Sequence, residues 1–328
     1  MPANLTAQYL KAEEEYRRSS TVDEELKCLQ VMLQEIPKHK GTDHLQAMLK
    51  SKISKAKREI TTEKKGGSRG LRIPRQGAGT AILLGPPNTG KSQLVATLTR
   101  AEPEVAPYPF TTKLPAPAMM PWEDVHVQLI DTPPITADYM DSHLHGLTRA
   151  ADLALLVVDL GSDDGVEQCQ EVLDRLSTTK TRLAATSYLD EEDVGLSYTQ
   201  TFLVANKIDA DDARERLDLL HELCPLDFRE FVVSAKEATG LEELREAVFR
   251  SMDVVRVYTK LPSAKQPDFD RPFTIRRGRT LLDLAGQVHK DYAERLKNAR
   301  VWGSAVHDGT VVKGDYVLHD KDVVELHI

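Results

Sequence analysis

Gly85-Pro86-Pro87-Asn88-Thr89-Gly90-Lys91-Ser92 reads G-x-x-x-x-G-K-[ST] and directly follows the apolar run Ala81-Ile82-Leu83-Leu84. A buried strand that feeds a tight, glycine-bounded turn points successive backbone N–H groups inward, where they can cradle phosphate oxygens. Lys91 then reaches the β- and γ-phosphates, and the Ser92 hydroxyl takes a Mg²⁺ position. Gln93-Leu94-Val95-Ala96-Thr97-Leu98 continues as a helix whose positive N-terminal end faces the same anion. The loop therefore places Gly85, Asn88, Thr89, Gly90, Lys91, Ser92 and Gln93 at a bound nucleotide. An eight-residue pattern can arise by chance in a glycine turn, so the assignment needs partners elsewhere in the chain.

Three further segments supply them. Val127-Gln128-Leu129-Ile130 ends in Asp131-Thr132-Pro133-Pro134, which puts a carboxylate where a Mg²⁺ ligand of a phosphate-loop protein is expected. Phe202-Leu203-Val204-Ala205 ends in Asn206-Lys207-Ile208-Asp209, an N-K-x-D pattern. The Asp209 carboxylate can accept both N–H donors of a guanine edge, whereas adenine offers a donor and an acceptor in other places, so GTP and GDP are the expected ligands. Phe231-Val232-Val233 ends in Ser234-Ala235-Lys236, which resembles the S-A-K element whose backbone contacts the guanine carbonyl. Between the loop helix and Asp131, Tyr108-Pro109-Phe110-Thr111-Thr112 sits where a switch segment brings a Thr to Mg²⁺ and the γ-phosphate.

The elements that must position these residues can be read from the rest of the chain. From Gly79 to about Met252, apolar runs (Ala81 to Leu84, Val125 to Ile130, Leu153 to Val158, Phe202 to Ala205, Phe231 to Ser234) alternate with helical segments. This predicts an α/β fold with a parallel sheet and crossover helices, its ligand groups gathered beyond the carboxyl ends of the strands. Before it, Leu5 to about Lys64 is polar with apolar stripes at helical spacing: Leu26, Leu29, Leu33, Ile36, then Leu45, Leu49, Ile53, Ala56, Ile60. Two or three helices are expected, with Thr21 and Glu24 as a capping box and a break at Pro37 to Gly41. After it, Val257 to Lys260, Pro272 to Ile275, a helix from Thr280 to Tyr292 capped by Thr280 and Asp283, Val301 to Ser304 and Asp322 to Leu326 read as strands around one helix.

Composition bounds the function. A chain of 328 residues with 41% hydrophobic and 29% charged residues suits two or three soluble domains. The net charge of −8 argues against general nucleic-acid binding, so any RNA contact must be local. One stretch qualifies: between Lys50 and Arg75 stand ten basic residues, including Lys55, Lys57 and Arg58, against two acids. It is either an RNA-contacting arm or a solvated helix face running into the Gly66-Gly67-Ser68 linker. Cys28, Cys169 and Cys224 form no C-x-x-C pair and have no His at zinc spacing, which argues against disulfides or a structural metal. No apolar run approaches the roughly 18 residues of a membrane span, and the N-terminus has no signal-peptide pattern, so a cytoplasmic protein without membrane contact is expected.

With these motifs in that order, the central region resembles the Obg-type GTPases and specifically their developmentally regulated GTP-binding branch, whose switch I sequence is Y-P-F-T-T. The last segment resembles the TGS domain, a small ubiquitin-like β-grasp module at the end of that branch. The likeness covers about 250 of the 328 residues. It implies an N-terminal helical region over 1–70, a GTPase domain over 77–254 and a TGS domain over 255–328. It further implies slow, Mg²⁺-dependent GTP hydrolysis whose nucleotide state controls attachment to the ribosome or another RNA assembly, with a regulatory protein as a candidate second partner. Ser92, Thr112 and Asp131 would hold Mg²⁺, and Lys91, Thr112 and Asn88 would act in catalysis. Asn88, three residues before Lys91, stands where GTPases that use a monovalent cation keep an Asn that helps hold K⁺ against the phosphates; alternatively it supports the turn through its own backbone.

The chain departs from the pattern in one place. D-x-x-G has become Asp131-Thr132-Pro133-Pro134, and Pro134 has no N–H for the γ-phosphate. Ile135 occupies the position of a water-orienting Gln, and the following His143 and His145 are candidate substitutes. A nucleotide-binding scaffold with little hydrolysis is therefore the alternative to an enzyme, and Asn206-Lys207-Ile208-Asp209 opposes an ATP-using protein.

Overall fold

A computed structural model describes residues 6–17, 19, 22–37, 42–66, 73–99, 115–189, 196–264 and 266–328. Three helices come first: α1 (Ala7–Arg17), α2 (Val22–Glu35) and α3 (Asp43–Gly66). Their stripes meet in one core, in which Tyr9, Ala12 and Tyr16 of α1 pack on Leu29 and Met32 of α2, Ile36 and Leu49 of α3. The Thr6 hydroxyl caps α1 by accepting from Tyr9 N at 3.0 Å. Thr21 and Gly41, expected to bound the second helix, lie outside the described residues, as do Gly67 and Ser68.

The central domain follows as β1 (Thr80–Leu84), α4 (Lys91–Thr99), β2 (Ala116–Trp122), β3 (Val125–Asp131), α5 (Leu144–Ala150), β4 (Leu153–Asp159), α6 (Gly165–Ser177), β5 (Thr181–Ala184), β6 (Tyr188–Leu189), β7 (Ser197–Asn206), α7 (Ala213–Leu223), β8 (Arg229–Val233) and α8 (Leu241–Ser251). The sheet runs β2-β3-β1-β4-β7-β5, with β6 and β8 also paired to the long β7. Alternation sorts each strand between two cores: Ala81 and Leu83 pack with Leu94 of α4 and Leu244 of α8, while Ile82 and Leu84 pack with Leu147 of α5 and Val172 of α6. Both faces are covered, which is why β1 from Ala81 to Leu84 and β4 from Leu153 to Val158 are apolar runs. Cys169 and Cys224, distant in sequence, share the second core as free thiols.

To the expected parallel sheet the structure adds two antiparallel strands. β2 pairs antiparallel with β3, from Ala116↔Asp131 to Trp122↔Val125, and β6 pairs antiparallel with β7. Pro117 and Pro121 hide β2 from sequence reading, and both are tolerated because β2 is the sheet edge.

The C-terminal domain comprises β9 (Val254–Thr259), β10 (Asp268–Arg276), α9 (Leu281–Val288), α10 (Lys290–Arg295), β11 (Asn298–Gly303), β12 (Val306–Val312) and β13 (Asp322–His327). Its order is β10-β9-β13-β11-β12, with β9 and β13 parallel and the other neighbours antiparallel. The single helix expected from Thr280 to Tyr292 is two. The Thr280–Asp283 capping box starts α9, but His289 is extended (φ −166°, ψ 147°) and its side chain accepts from Asp291 N to start α10. Trp302 is half-buried, with Lys260 Nζ 5.0 Å from its ring centroid.

Charged contacts tie the three parts together. Arg149 of α5 pairs with Glu25 of α2, and Arg279 pairs with Glu14 of α1 at 2.8 Å. Asp152 receives both Arg75 and Arg276. Arg256 of β9 reaches Glu123 and Asp124 in the β2–β3 turn as well as Asp320.

Candidate functional site

β1 enters the phosphate loop at Gly85, which has φ +152° and where a Cβ would stand 2.5 Å from Val157 O. Gly90 has φ +86°, and a Cβ there would meet Asn206 Nδ2 at 2.6 Å. The loop is pressed between β4 and the end of β7, so both glycines are required by sterics as well as by dihedral. Lys91 lies buried beneath it, donating to Gly85 O at 3.0 Å and Pro86 O at 2.6 Å. Burial pulls its ammonium down to about 8, against the opposing charge of Asp131, so an anion above the loop would favour the protonated form.

At the metal position, Ser92 Oγ donates to Asp131 Oδ2 at 2.5 Å. Asp131 Oδ1 is buried and has no hydrogen-bond partner. A hydroxyl joined to a carboxylate with an unsatisfied oxygen is an all-oxygen set that fits a hard cation completed by phosphates and water, as Mg²⁺ requires. Thr112, the third expected ligand, lies outside the described residues together with the rest of Tyr108 to Thr112.

Pro87, Asn88, Gly90, Lys91, Ser92, Gln93, Ala116 and Asp131 to Pro134 line a cleft of about 500 Å³. Asn88 is exposed there with φ +64°. Ile135 does not face the cleft: it is fully buried in the second core, and its N–H donates to Gly85 O at 3.1 Å. His143 and His145 do not line the cleft either.

The base-recognition residues converge from β7 and β8. Asn206 is buried and works as a strut, its Nδ2 donating to Thr89 O at 2.8 Å and its Oδ1 accepting from Ala235 N at 3.0 Å. Asp209 Oδ1 accepts from Ser234 Oγ at 2.6 Å, and Lys236 Nζ stands 3.5 Å from Oδ2. The Ser234 hydroxyl, foremost, holds the Asp209 carboxyl below its ordinary value. Thr97 Oγ1 of α4 donates to Ala235 O at 3.1 Å, a further tie between the phosphate and base loops.

Lys207, with φ +70°, donates from Nζ to Asp159 Oδ2 at 2.6 Å. Asp159 thus belongs beside the site although no motif marks it. Its only signal in the sequence is a carboxylate closing an apolar strand, Leu156-Val157-Val158-Asp159.

Known proteins similar to this chain are GTP-binding proteins. Residues 80–189 match the family described as 50S ribosome-binding GTPase, and residues 255–328 match the TGS domain. An uncharacterized GTP-binding protein of Methanocaldococcus jannaschii is 28% identical, with 94% of this chain and 93% of that protein aligned. Developmentally-regulated G-protein 2 of Arabidopsis thaliana is 26% identical over 92% of this chain and 90% of its own length. Ribosome-interacting GTPase 1 of Saccharomyces cerevisiae is 25% identical, covering 94% of this chain and 99% of itself. Its alignment spans 371 positions, more than the 328 residues here, so it carries residues inside the matched region that this chain lacks. Among solved structures, the Schizosaccharomyces pombe YchF GTPase superposes with a TM-score of 0.54 at 13% identity, covering 79% of this chain and all of that one.

Proposed function

We propose that this chain, a GTP-binding homologue of the developmentally regulated G-proteins with a GTPase domain and a TGS domain, binds GTP with Mg²⁺, hydrolyses it slowly and uses the nucleotide state to control attachment to the ribosome or another RNA assembly. One observation carries the reading: the Asp209–Ser234 acceptor, beyond β7 and β8, and the Lys91–Ser92–Asp131 phosphate and metal set, beyond β1 and β3, lie across β4 from each other and are joined by the Asn206 strut between Thr89 and Ala235. A base and a phosphate chain on one ligand need both ends fixed together.

In this reading Lys91 leaves the Gly85 and Pro86 carbonyls for the β- and γ-phosphates, and Ser92, Asp131 and Thr112 hold Mg²⁺, which neutralises phosphate charge when bound. Gly85, Thr89, Gly90, Gln93 and Lys236 complete the nucleotide contacts. Pro134 withholds a γ-phosphate donor and Ile135 is committed to the core, so neither orients the attacking water. Positive charge beyond Lys91 and Mg²⁺ is assigned to K⁺ held with the help of Asn88. Pro134 favours the second reading, a nucleotide-holding scaffold with little turnover. Exposed Lys55 and Lys57 on α3, with the TGS domain, are proposed to face RNA, and a regulatory protein is a further candidate partner. No helix among the described residues is long and apolar enough to cross a membrane.

Single-turnover hydrolysis of GTP and ATP in K⁺ and in Na⁺, with and without ribosomes, tests both readings. GTP should turn over at about 10⁻³ s⁻¹ or slower in Na⁺, as unassisted GTPases do. The rate should rise severalfold in K⁺ and lose that gain in Asn88→Ala with GTP binding kept. Equal rates in both salts under every condition leave the scaffold, and binding of ATP as tight as GTP refutes the site.

A further inference from the structure

Ala116 and Asp131 face each other across the first pair of the β2–β3 hairpin, and both line the phosphate cleft. The last of its seven pairs, Trp122↔Val125, lies about 20 Å away at the rise of an extended strand. There the chain turns through Glu123, whose φ of +47° is left-handed, and Asp124. The TGS domain holds this turn: Arg256 Nη1 reaches Glu123 and, at 2.9 Å, Asp124, the Tyr258 hydroxyl donates to Asp124 Oδ2, and Lys321 Nζ stands 3.8 Å from Glu123 Oε2. One hairpin thus has the metal end of the phosphate site at one tip and the TGS domain at the other.

The two strands of the hairpin differ in freedom. β3 is fixed by β1, from Thr80↔Gln128 to Ile82↔Ile130, and the Thr132 hydroxyl fastens the residue after Asp131 to Leu83 O. β2 is the sheet edge, and Pro117 and Pro121 fix φ at two of its positions, so it shifts as a rod rather than bends. Its far end is packed where a shift is felt: Trp122 stacks on Phe249 of α8 with ring centroids 6.0 Å apart, and the Arg256 guanidinium lies 5.7 Å from the centroid of that same Phe249 ring. At the near end Ser92 Oγ and Asp131 Oδ2 are in direct contact at 2.5 Å, and Asp131 Oδ1 is buried without a hydrogen-bond partner. A cation held by both groups must part them. With β3 and Thr132 fixed, the Asp131 side chain then turns against its cross-strand neighbour Ala116.

We propose that the β2–β3 hairpin couples its two tips: Mg²⁺ and nucleotide at Ser92 and Asp131 shift β2 and weaken the hold of Arg256 and Tyr258 on the Glu123–Asp124 turn, so that the loaded protein releases its TGS domain from the GTPase domain. The direct Ser92–Asp131 contact and the fully held turn occur together in this structure and belong to one state; parting the first loosens the second. The inference rests on the metal and nucleotide reading given above and adds to it the route by which that site governs the TGS domain.

Coupling of this kind is reciprocal, so weakening the hold on the turn must favour the ligand. The test is equilibrium titration of the full-length protein with a non-hydrolysable GTP analogue, in Mg²⁺ and in EDTA. In Mg²⁺, Arg256→Met should bind the analogue about fivefold more tightly than the wild type and Tyr258→Phe about twofold, while Arg277→Met, whose partner Asp253 lies off the hairpin, should be unchanged. In EDTA the variants and the wild type should bind alike. Amide hydrogen exchange at Trp122 to Val125 of the wild type should quicken severalfold when the analogue and Mg²⁺ are added. Equal or weaker binding by both variants in Mg²⁺, a gain that persists in EDTA, or exchange at the turn that the ligand leaves unchanged or slows overturns the proposal. If Arg256→Met does not fold, Tyr258→Phe and the exchange measurement decide. A wild-type protein whose affinity for the analogue does not depend on Mg²⁺ instead removes the metal site on which the inference stands.

Discussion

Replacing Arg256 by Met should loosen the TGS domain from the GTPase domain by an amount the geometry sets. The side chain is 6% exposed and meets three carboxylates: Asp320 through Nε at 3.1 Å and Nη2 at 2.7 Å, Asp124 through Nη1 at 2.9 Å, and Glu123. Its guanidinium also lies 5.7 Å from the Phe249 ring centroid. Removing one member of a fully buried pair costs about 3–5 kcal/mol because the other charge is stranded. Here the stranded groups can hydrate, being 38% (Asp320), 25% (Asp124) and 52% (Glu123) exposed, so a smaller cost of about 2 kcal/mol applies, roughly a 30-fold change in the docking equilibrium.

Urea unfolding followed by Trp122 and Trp302 fluorescence, one tryptophan in each domain, should show the two signals separating in Arg256→Met where they coincide in the wild type. Arg277→Met is the control, because its pair with Asp253 is 63% and 68% exposed and its loss should be within about 0.5 kcal/mol. The pH dependence gives a second check. Burial pushes the Asp124 and Asp320 carboxyls up but is outweighed, by Tyr258 and Arg256 at Asp124 and by Arg256 at Asp320, so both lie below their ordinary values. A depressed carboxylate stabilises the fold above its unfolded pKa of about 4, and that stabilisation is lost as pH falls through the lower folded value. The variant should lose less stability than the wild type on acidification through this window. Coincident transitions with an unchanged midpoint in Arg256→Met would refute the assignment of this cluster as the link.

Two other outcomes concern charged groups of the N-terminal helices and their neighbours. Arg149→Met strands Glu25, which is 18% exposed, and removes a donor to Ser19 O and a cation stacked 5.6 Å from Tyr16; it should cost about 3 kcal/mol of docking of the N-terminal helices, read as reduced hydrogen-exchange protection in α1 and α2, and unchanged protection would contradict it. Neutralising Lys55, Lys57 and Arg58 together should flatten the salt dependence of ribosome association by roughly 0.7 to 0.9 log unit per log unit of salt for each phosphate no longer neutralised, and an unchanged slope in sedimentation would reduce α3 to a solvated helix.

What can be read in the sequence depends on whether residue identity or three-dimensional neighbourhood decides the role. Gly85, Gly90 and Lys91 are legible because the dihedrals and a phosphate chain admit few other residues. β1 and β4 are legible because a strand covered on both faces reads as a continuous apolar run, here Ala81 to Leu84 and Leu153 to Val158. β2 is hidden because Pro117 and Pro121 read as breakers and only its edge position excuses them. The stop at His289 is hidden because apolar Val288 and Tyr292 continue the helical spacing across it, and only the capping hydrogen bond to Asp291 N marks the restart. Asp131 and Asp159 both close apolar strands with a carboxylate, yet one meets Ser92 and the other Lys207, a difference set by strand order and absent from local pattern.

Ile135 extends the same argument to catalysis. Its side chain belongs to the second core and its N–H to Gly85 O, so the backbone from Thr132, whose hydroxyl donates to Leu83 O, is fastened at both ends beside the phosphate loop. Pro134 lies within that fastened span, and its fixed φ suits a short segment held in place. A glycine there would restore an N–H for the γ-phosphate but add the backbone freedom that the proline removes. On the proposed reading this span would present Asp131 to the metal and leave the γ-phosphate to Lys91 of the loop and Thr112 of the switch segment.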